Sequence, residues 1–157
     1  MSIIKRHIEH LDAMQNSVED VLREILIEHK SEIVALVKYD QLAKGKNSYD
    51  KPLSWSHGSG FYASSTQSFA TRDKVRAPKR AGSAYNFQWT GETFDNMQFK
   101  LTEKAYDIFT LATKQALLED LYGEIFELTE KHNNYVNNKI LEPELVKWIE
   151  QNWWKLP

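Results

Sequence analysis

The chain has 157 residues, of which 41% are hydrophobic and 27% are charged, and its formal net charge is −2. This length and composition predict one folded domain over residues 1–157 and exclude a largely disordered chain. The absence of cysteine excludes disulfide bridges, thiolate metal sites and cysteine nucleophiles. No hydrophobic run approaches the roughly 20 residues of a membrane span, so we expect no membrane partner.

The first thirty residues are predicted to form one long amphipathic helix. Hydrophobic residues recur there every seven positions, and neither glycine nor proline interrupts the run. A helix of this length spans about 40 Å, which is more than a small domain needs to cover its own sheet. Two interpretations stay open, since the hydrophobic stripe can lie in the chain's own core or pack partly on another subunit. The stripe consists of Ile4, Leu11, Val18 and Ile25, flanked by Ile8, Met14, Val21 and Leu22.

A strand and a short helical turn are predicted next. The segment Glu32 to Lys38 is short and rich in β-branched residues, which is typical of a strand. The following segment, Tyr39 to Gly45, is predicted to be a turn of helix that ends at its glycine.

Residues 46–84 show no periodicity and are predicted to form an extended loop, with room for a hairpin. Loops this long are uncommon in compact domains unless they are functional or disordered. Scattered aromatic residues argue against plain disorder. We therefore expect this loop to be ordered by contact with a partner, and its candidate contact residues are Trp55, Phe61, Tyr62 and Phe69.

The middle of the chain is basic. Residues 38–80 carry nine Lys or Arg and three Asp, a net charge of +6, so the remainder of the chain carries −8. Such a segment is expected to meet an acidic surface on a second copy, on another protein or on nucleic acid. The candidate cations are Arg72, Lys74, Arg76, Lys79 and Arg80.

The second half of the chain combines helices with a strand pair. A short helix is predicted to start at Thr90, whose side chain can cap it. Strands are predicted at 97–102 and 106–112, joined by a turn at 103–105. A helix from Lys114 to Tyr122 should end at Gly123, and a polar helix is predicted from Thr129 to Ile140.

A last helix is predicted from Pro143, at its first helical position, through Trp154. Its hydrophobic side would hold Leu145, Trp148 and Ile149 with Trp153. Since Trp153 and Trp154 are adjacent, they cannot both face inward on a helix, and both are candidate interface residues. Together these elements predict an α+β fold with a long N-terminal helix, a small antiparallel sheet with a long inserted loop, and C-terminal helices.

Recognisable catalytic patterns are missing from the sequence. His7 and His10 share a helix face, but no third metal ligand follows at a useful spacing. The stretch Gly58-Ser59-Gly60 lacks the strand and helix that flank a nucleophile elbow. We therefore predict no catalytic residue, no metal ligand and no cofactor, and we do not expect an enzyme.

The order of elements resembles a family of viral assembly proteins. The step Thr90-Gly91 leads through Phe94, Asn96 and Met97 into a predicted strand. This arrangement is similar, with altered spacing, to the small head–tail joining, neck or tail-completion proteins of tailed bacteriophages. The stretch from Asp40 to Gly45 also resembles a Gln-Leu-x-x-Gly pattern in phage and prophage proteins of this size.

The resemblance implies a structural virion protein that is assembled in the host cytoplasm and forms an oligomeric ring. Its implied partners are further copies of the chain and portal, neck or tail proteins, with no cofactor and no catalysis. Two alternatives remain. The first is a nucleic-acid-binding accessory protein that uses the basic loop 72–80 and contacts DNA. The second is an enzyme of unrecognised type.

Overall fold

A computed structural model describes residues 3–54, 59–73, 75–103 and 105–152. Packing divides the chain into two compact units, one formed by residues 1–30 with 133–157 and the other by residues 31–132. Helices dominate and accompany a two-stranded antiparallel sheet, which confirms the α+β class. The single domain over 1–157 stays a prediction.

The first unit is built on the N-terminal helix. Helix α1 (Ile3–Glu28) packs against α7 (Glu142–Asn152) and against the π-helical turn Val136–Leu141 that precedes α7. His29 and Glu144 close this packing with a 2.7 Å contact between Nε2 and Oε1. The core of the unit contains the buried side chains of Val21, Ile25, Val136 and Ile140.

The predicted hydrophobic stripe is present in the second half of α1. Met14, Val18 and Leu22 are half-buried there, alongside the buried Val21 and Ile25. Ile8 departs from the pattern, since its side chain is exposed. The side chains of Ile4, Leu11, His7 and His10 lie outside the described residues.

The predicted C-terminal helices form one continuous helical run rather than two. Helix α6 (Glu130–Tyr135) passes through the π-helical turn directly into α7, so Pro143 lies inside the run and not at its start. Proline has no N–H to donate and clashes with the carbonyl four residues back. The wider π turn, in which the Glu142 N–H donates to Asn137 O, brings the chain to the proline without ending the helix.

The second unit opens with a helix where a strand was predicted, so the strand prediction for 32–38 is wrong. Helix α2 (Lys30–Ala35) continues through a π-helical turn (Leu36–Gln41) and a 3-10 turn (Leu42–Lys44). Ile33, Val37 and Gln41 are fully buried at intervals of four residues, which is the spacing of one helix face. The run ends at Gly45 with φ of 73°, which confirms the predicted glycine end.

Residues 46–84 are not one extended loop, which corrects a second prediction. They contain helix α3 (Ser64–Arg72), and their two ends fold back onto the unit. Leu53 donates its N–H to Gly45 O at 2.8 Å and is 1% exposed. An antiparallel bridge between Phe61 and Ala84 then places the last residue of the segment beside Phe61.

Gln41 connects the helical start of the second unit to residues 124–127, near the end of that unit. Its side chain is 0% exposed, and Nε2 donates to Ile125 O at 3.0 Å and to Glu127 O at 2.9 Å. Ser48 adds a third connection, because its N–H donates to Glu124 O at 3.1 Å. Residues 41–48 are thereby fastened to residues 124–127 through backbone acceptors.

The predicted hairpin and its neighbouring helices are confirmed. Strands β1 (Met97–Leu101) and β2 (Tyr106–Thr110) pair antiparallel, with Met97 opposite Thr110. Helix α4 (Glu92–Asp95) precedes them, and α5 (Gln115–Tyr122) follows and ends at Gly123.

The start of α4 differs from the prediction by one residue. Gly91 takes the N-cap position, while Thr90 accepts the Glu92 N–H on Oγ1 at 3.3 Å. In the part of the chain that the structure describes, no helix combines the length and apolar character that crossing a bilayer requires.

Stability should fall as the pH drops below about 6.5, because burial lowers the pKa of His132. Asp40 and Asp50 oppose that shift and Lys131 and Lys44 assist it. The unfolded state binds the proton first, so the free energy of unfolding should decrease by at most about 1.4 kcal/mol per pH unit. Chemical denaturation between pH 7.5 and 5.5 checks this. His132→Gln should flatten the slope, and an unchanged slope would contradict the assignment.

Candidate functional site

The predicted interface residues divide into three groups in the structure. Trp55, Lys74, Trp153 and Trp154 lie outside the described residues. Phe61, Phe69, Arg72 and Arg80 are exposed, and Arg76 is exposed but held by a partner within its own unit. Tyr62 is half-buried and Lys79 is buried.

Helix α3 presents an aromatic ring and a cation to solvent. Its inner face carries Thr66 and the buried Ala70, four residues apart. Beside that face lies Phe69, which is 50% exposed, with the Arg72 guanidinium 5.1 Å from its ring centroid. Phe61, 46% exposed, precedes the helix. Phe61 and Phe69 are therefore apolar side chains that a partner could cover.

Arg76 fastens the segment to the start of the sheet. Its Nη1 donates to Asp95 Oδ1 at 2.5 Å, and its backbone N–H donates to Trp89 O at 2.9 Å. The hydrogen bond and charge of Arg76 lower the pKa of the Asp95 carboxyl. The Arg76 side chain crosses Gly91 so closely that a Cβ there would collide with it. Arg76 therefore has a structural role, and Gly91 of the Thr-Gly step leaves space for its side chain.

Four cations of the basic segment form ion pairs within their own unit. Lys44 pairs with Asp40, and Lys46 pairs with Asp50. Arg72 lies 3.5 Å from Asp73, in addition to the pairing of Arg76. Asp40, Asp50 and Asp73 are already counted in the formal charge of +6, so only the Arg76–Asp95 pair lowers it, to +5.

Lys79 is inside the unit, which corrects its assignment as a surface contact. It is 3% exposed, its Nζ donates to Asn86 Oδ1, and it lies 5.2 Å from the Tyr62 ring centroid. Burial lowers the pKa of Lys79 to about 8. Among the described residues no carboxylate forms an ion pair with Lys79. Its ammonium is thus a buried charge whose protein partner is neutral.

Asn86 organises the surroundings of that ammonium. Its Oδ1 also accepts the Tyr62 hydroxyl at 3.1 Å and the Gln88 N–H at 3.2 Å, and its own N–H donates to the Tyr62 hydroxyl at 3.0 Å. Burial raises the pKa of Tyr62, so its hydroxyl keeps its proton and acts as a donor. The Lys79 ammonium has three N–H donors, and its bond to Asn86 uses one of them. Asn86 Oδ1 already accepts from two other donors and has no room for a second Lys79 N–H.

Lys79 lines a cavity of about 240 Å³ that five aromatic side chains also line. The rings of Tyr62 and Tyr85 are 5.0 Å apart, those of Tyr85 and Tyr122 are 6.4 Å apart, and those of Tyr122 and Phe87 are 5.0 Å apart. They form a connected chain of edge and tilted contacts, the geometry that aromatic pairs favour. We call this space, walled by Tyr62, Tyr85, Phe87, Tyr122 and Lys79, the aromatic pocket.

One extended stretch supplies much of the pocket wall. Tyr85, Phe87 and Trp89 alternate with polar residues and all line the pocket. Phe87 has φ of 48°, in the left-handed region that a bulky residue rarely adopts. Backbone strain of this kind concentrates at binding and active sites. The alternation of aromatic residues is the sequence signal that was missed, because residues 85–89 lie between the predicted loop 46–84 and the helix start predicted at Thr90.

The charged groups of the pocket favour an anionic guest. Lys79 and Lys114 line it along with Glu92, and Glu92 Oε1 lies 3.5 Å from the Thr113 hydroxyl. Within the described ranges, no three His, Cys, Asp or Glu side chains cluster so as to hold a metal ion. The groups present can stack on a ring and donate hydrogen bonds to an anion.

Comparisons of the chain with protein-family models, with curated proteins and with solved structures return no match.

Proposed function

We propose that this chain is a structural assembly protein that binds a second copy of itself through the exposed face of α3. The observation that carries the proposal is the solvent-facing pair of Phe69 and Arg72 on a segment fastened at both ends. The Phe61–Ala84 bridge and the Leu53–Gly45 hydrogen bond fix those ends. The Phe69 side chain is held on a fixed base and loses little conformational freedom on binding, so its burial contributes to affinity.

Charge complementarity supports a second copy as the occupant. Outside residues 38–80 the chain carries a formal charge of −8. The exposed face of α1 is acidic along its length, whereas Arg72 and Arg80 are exposed cations of the basic segment. A contact between two different faces repeats from copy to copy and closes into a ring when the rotation allows. The acidic face consists of Asp12, Glu19, Asp20, Glu24 and Glu28.

The finer proposal is a ring at the head–tail interface of a tailed phage, with portal, neck or tail proteins as neighbours. Its support is the sequence resemblance around Thr90-Gly91. The buried positions of Phe94 and Met97 agree with the role of the hydrophobic residues in that pattern.

The test is the solution mass of a double variant, Phe69→Gln with Arg72→Gln, measured by sedimentation velocity over a range of concentrations. The wild type should form an oligomer, and the double variant should stay monomeric because the contact loses its ring and its cation. Leu117→Gln is the matched control, since it removes an exposed apolar side chain from α5. The control should assemble as the wild type does.

Two results would contradict the proposal. One is a double variant that assembles as the wild type does. The other is a wild type that stays monomeric at every concentration.

Nucleic acid is the second candidate partner of the same face. A cation lying over an exposed aromatic ring, as in Arg72 and Phe69, can stack on a base and contact phosphate. Support is weaker here, because Arg76 is paired and Lys79 is buried. Titration with duplex and single-stranded DNA at low salt decides this case, and an absence of binding dismisses it.

A further inference from the structure

We propose that the aromatic pocket of the second unit binds a small planar aromatic acid, with the ring between the aromatic walls and the acid group on Lys79 Nζ. This site is separate from the α3 face, because neither Phe69 nor Arg72 lines it.

The size of the cavity suits one or two fused rings. An enclosed apolar cavity of about 150 Å³ takes up benzene, and typical drug-sized sites span about 300–1,000 Å³. At about 240 Å³ the pocket lies between these cases. A ring with one short substituent fits that volume.

The walls favour a planar guest. Tyr62, Tyr85, Tyr122 and Phe87 already contact one another edge-on or tilted. A guest ring adds contacts of the same kind, and such contacts favour offset or edge-to-face geometry. The left-handed backbone at Phe87 places that ring in the wall, at a conformational cost of the kind that concentrates at binding sites.

The charge of the guest follows from Lys79. A buried ammonium costs free energy unless an opposite charge and hydrogen bonds satisfy it. In the structure the partner of Lys79 is the neutral Asn86 amide, and that oxygen is already shared by two further donors. A carboxylate in the pocket would accept the remaining Lys79 N–H groups in a charge-assisted hydrogen bond. A cationic guest would meet Lys79 and Lys114 together, opposed by Glu92 alone among the lining residues.

Three probes with one ring system and different charges test the proposal. Indole-3-acetate is the anion, indole-3-acetamide is the neutral analogue, and tryptamine is the cation. Calorimetric titration of the wild-type protein should give an order of affinity of acetate, then acetamide, then tryptamine. The acetate should bind at least about 10-fold more tightly than the acetamide, since a hydrogen bond to a charged group contributes that much.

Lys79→Met assigns the preference to the lysine. The variant should bind acetate and acetamide equally and keep the wild-type affinity for the acetamide, because the aromatic walls remain. Lys100→Met is the matched control, since Lys100 is an exposed lysine on β1 that does not line the pocket. The control should keep the full preference. Circular dichroism of each variant confirms that it is folded.

Leu118→Trp provides a second, independent test, because it fills the pocket from the α5 side and leaves Lys79 in place. It should abolish binding of all three probes. The proposal is overturned by binding of none of the probes to the wild type, by tightest binding of tryptamine, or by an acetate preference that survives Lys79→Met. Undiminished binding to Leu118→Trp overturns it as well, since the guest would then lie elsewhere.

Discussion

Replacing Gly45 with alanine should lower the free energy of unfolding by about 2–5 kcal/mol. Gly45 has φ of 73°, and a Cβ there would lie 2.5 Å from the Ala84 Cβ and 2.6 Å from Tyr85 O. The left-handed conformation costs a non-glycine residue about 1–2 kcal/mol. Displacing a packed neighbour adds about 1–3 kcal/mol. Ala84 is the last residue of the segment 46–84 and Tyr85 follows it directly, so relief of the clash would part the two ends of that segment.

Gly82→Ala separates the two contributions. Gly82 also has a positive φ, 77°, but a Cβ there meets nothing within 4 Å. This control should therefore show the conformational cost alone. Urea denaturation of both variants measures the difference. Equal losses of stability would mean that the contact between Gly45 and Ala84–Tyr85 does not hold the segment.

That contact links the fold to the proposed function. The docking surface proposed on α3 needs a rigid base, and Gly45 is where that base meets the end of the helical run that starts with α2. A Gly45→Ala chain that remains folded should consequently assemble less well than the Gly82→Ala control, although neither substitution touches Phe69 or Arg72.

The sequence predicted the hairpin and the helices around it because their signals are local. Strands β1 and β2 alternate over five residues each, and Gly123 marks the end of α5. Residues 32–38 were misassigned because a seven-residue window rich in Ile and Val favours a strand by propensity. Their burial at positions 33, 37 and 41 shows a helical period that extends beyond that window.

Helix α3 was missed for a different reason. Its nine residues include five Ser or Thr and little that is apolar besides Phe69 and Ala70. Such a sequence has no stripe from which to infer a helix, and the buried Ala70 with the hydrogen bond from Ala81 N–H to Gln67 Oε1 holds it in place. Tertiary contacts of this kind cannot be read from local pattern.

The candidate site was predicted only in part. Exposed aromatic residues on residues 46–84 were expected, and Phe61 and Phe69 are such residues. The pocket was not expected, because a lysine within a basic run is nearly always solvated. Burial of Lys79 depends on residues distant in sequence, such as Tyr122 on α5, and on the turn that brings Asn86 to its ammonium.

Replacing Lys79 with methionine should raise the free energy of unfolding at pH 7 by about 1–3 kcal/mol, because a buried charge without an ionic partner is removed. Burial has lowered the pKa of Lys79 from 10.5 to about 8. Below pH 8 the lysine is protonated in both states, so the folded wild type carries the full cost of burying it. Between pH 8 and 10.5 the unfolded state binds more protons, so wild-type stability should rise relative to the variant.

The difference between the two unfolding curves should consequently be largest near pH 7 and shrink toward pH 10. Urea denaturation at several pH values measures it, and Lys100→Met, which removes an exposed lysine, should change stability little. A Lys79→Met chain that is less stable than the wild type would show that the ammonium is satisfied within the fold. A Lys79→Met chain that is more stable than the wild type would show that the fold does not satisfy the ammonium. If that chain also loses its preference for an aromatic acid, Lys79 is a functional group, because it lowers stability and confers binding.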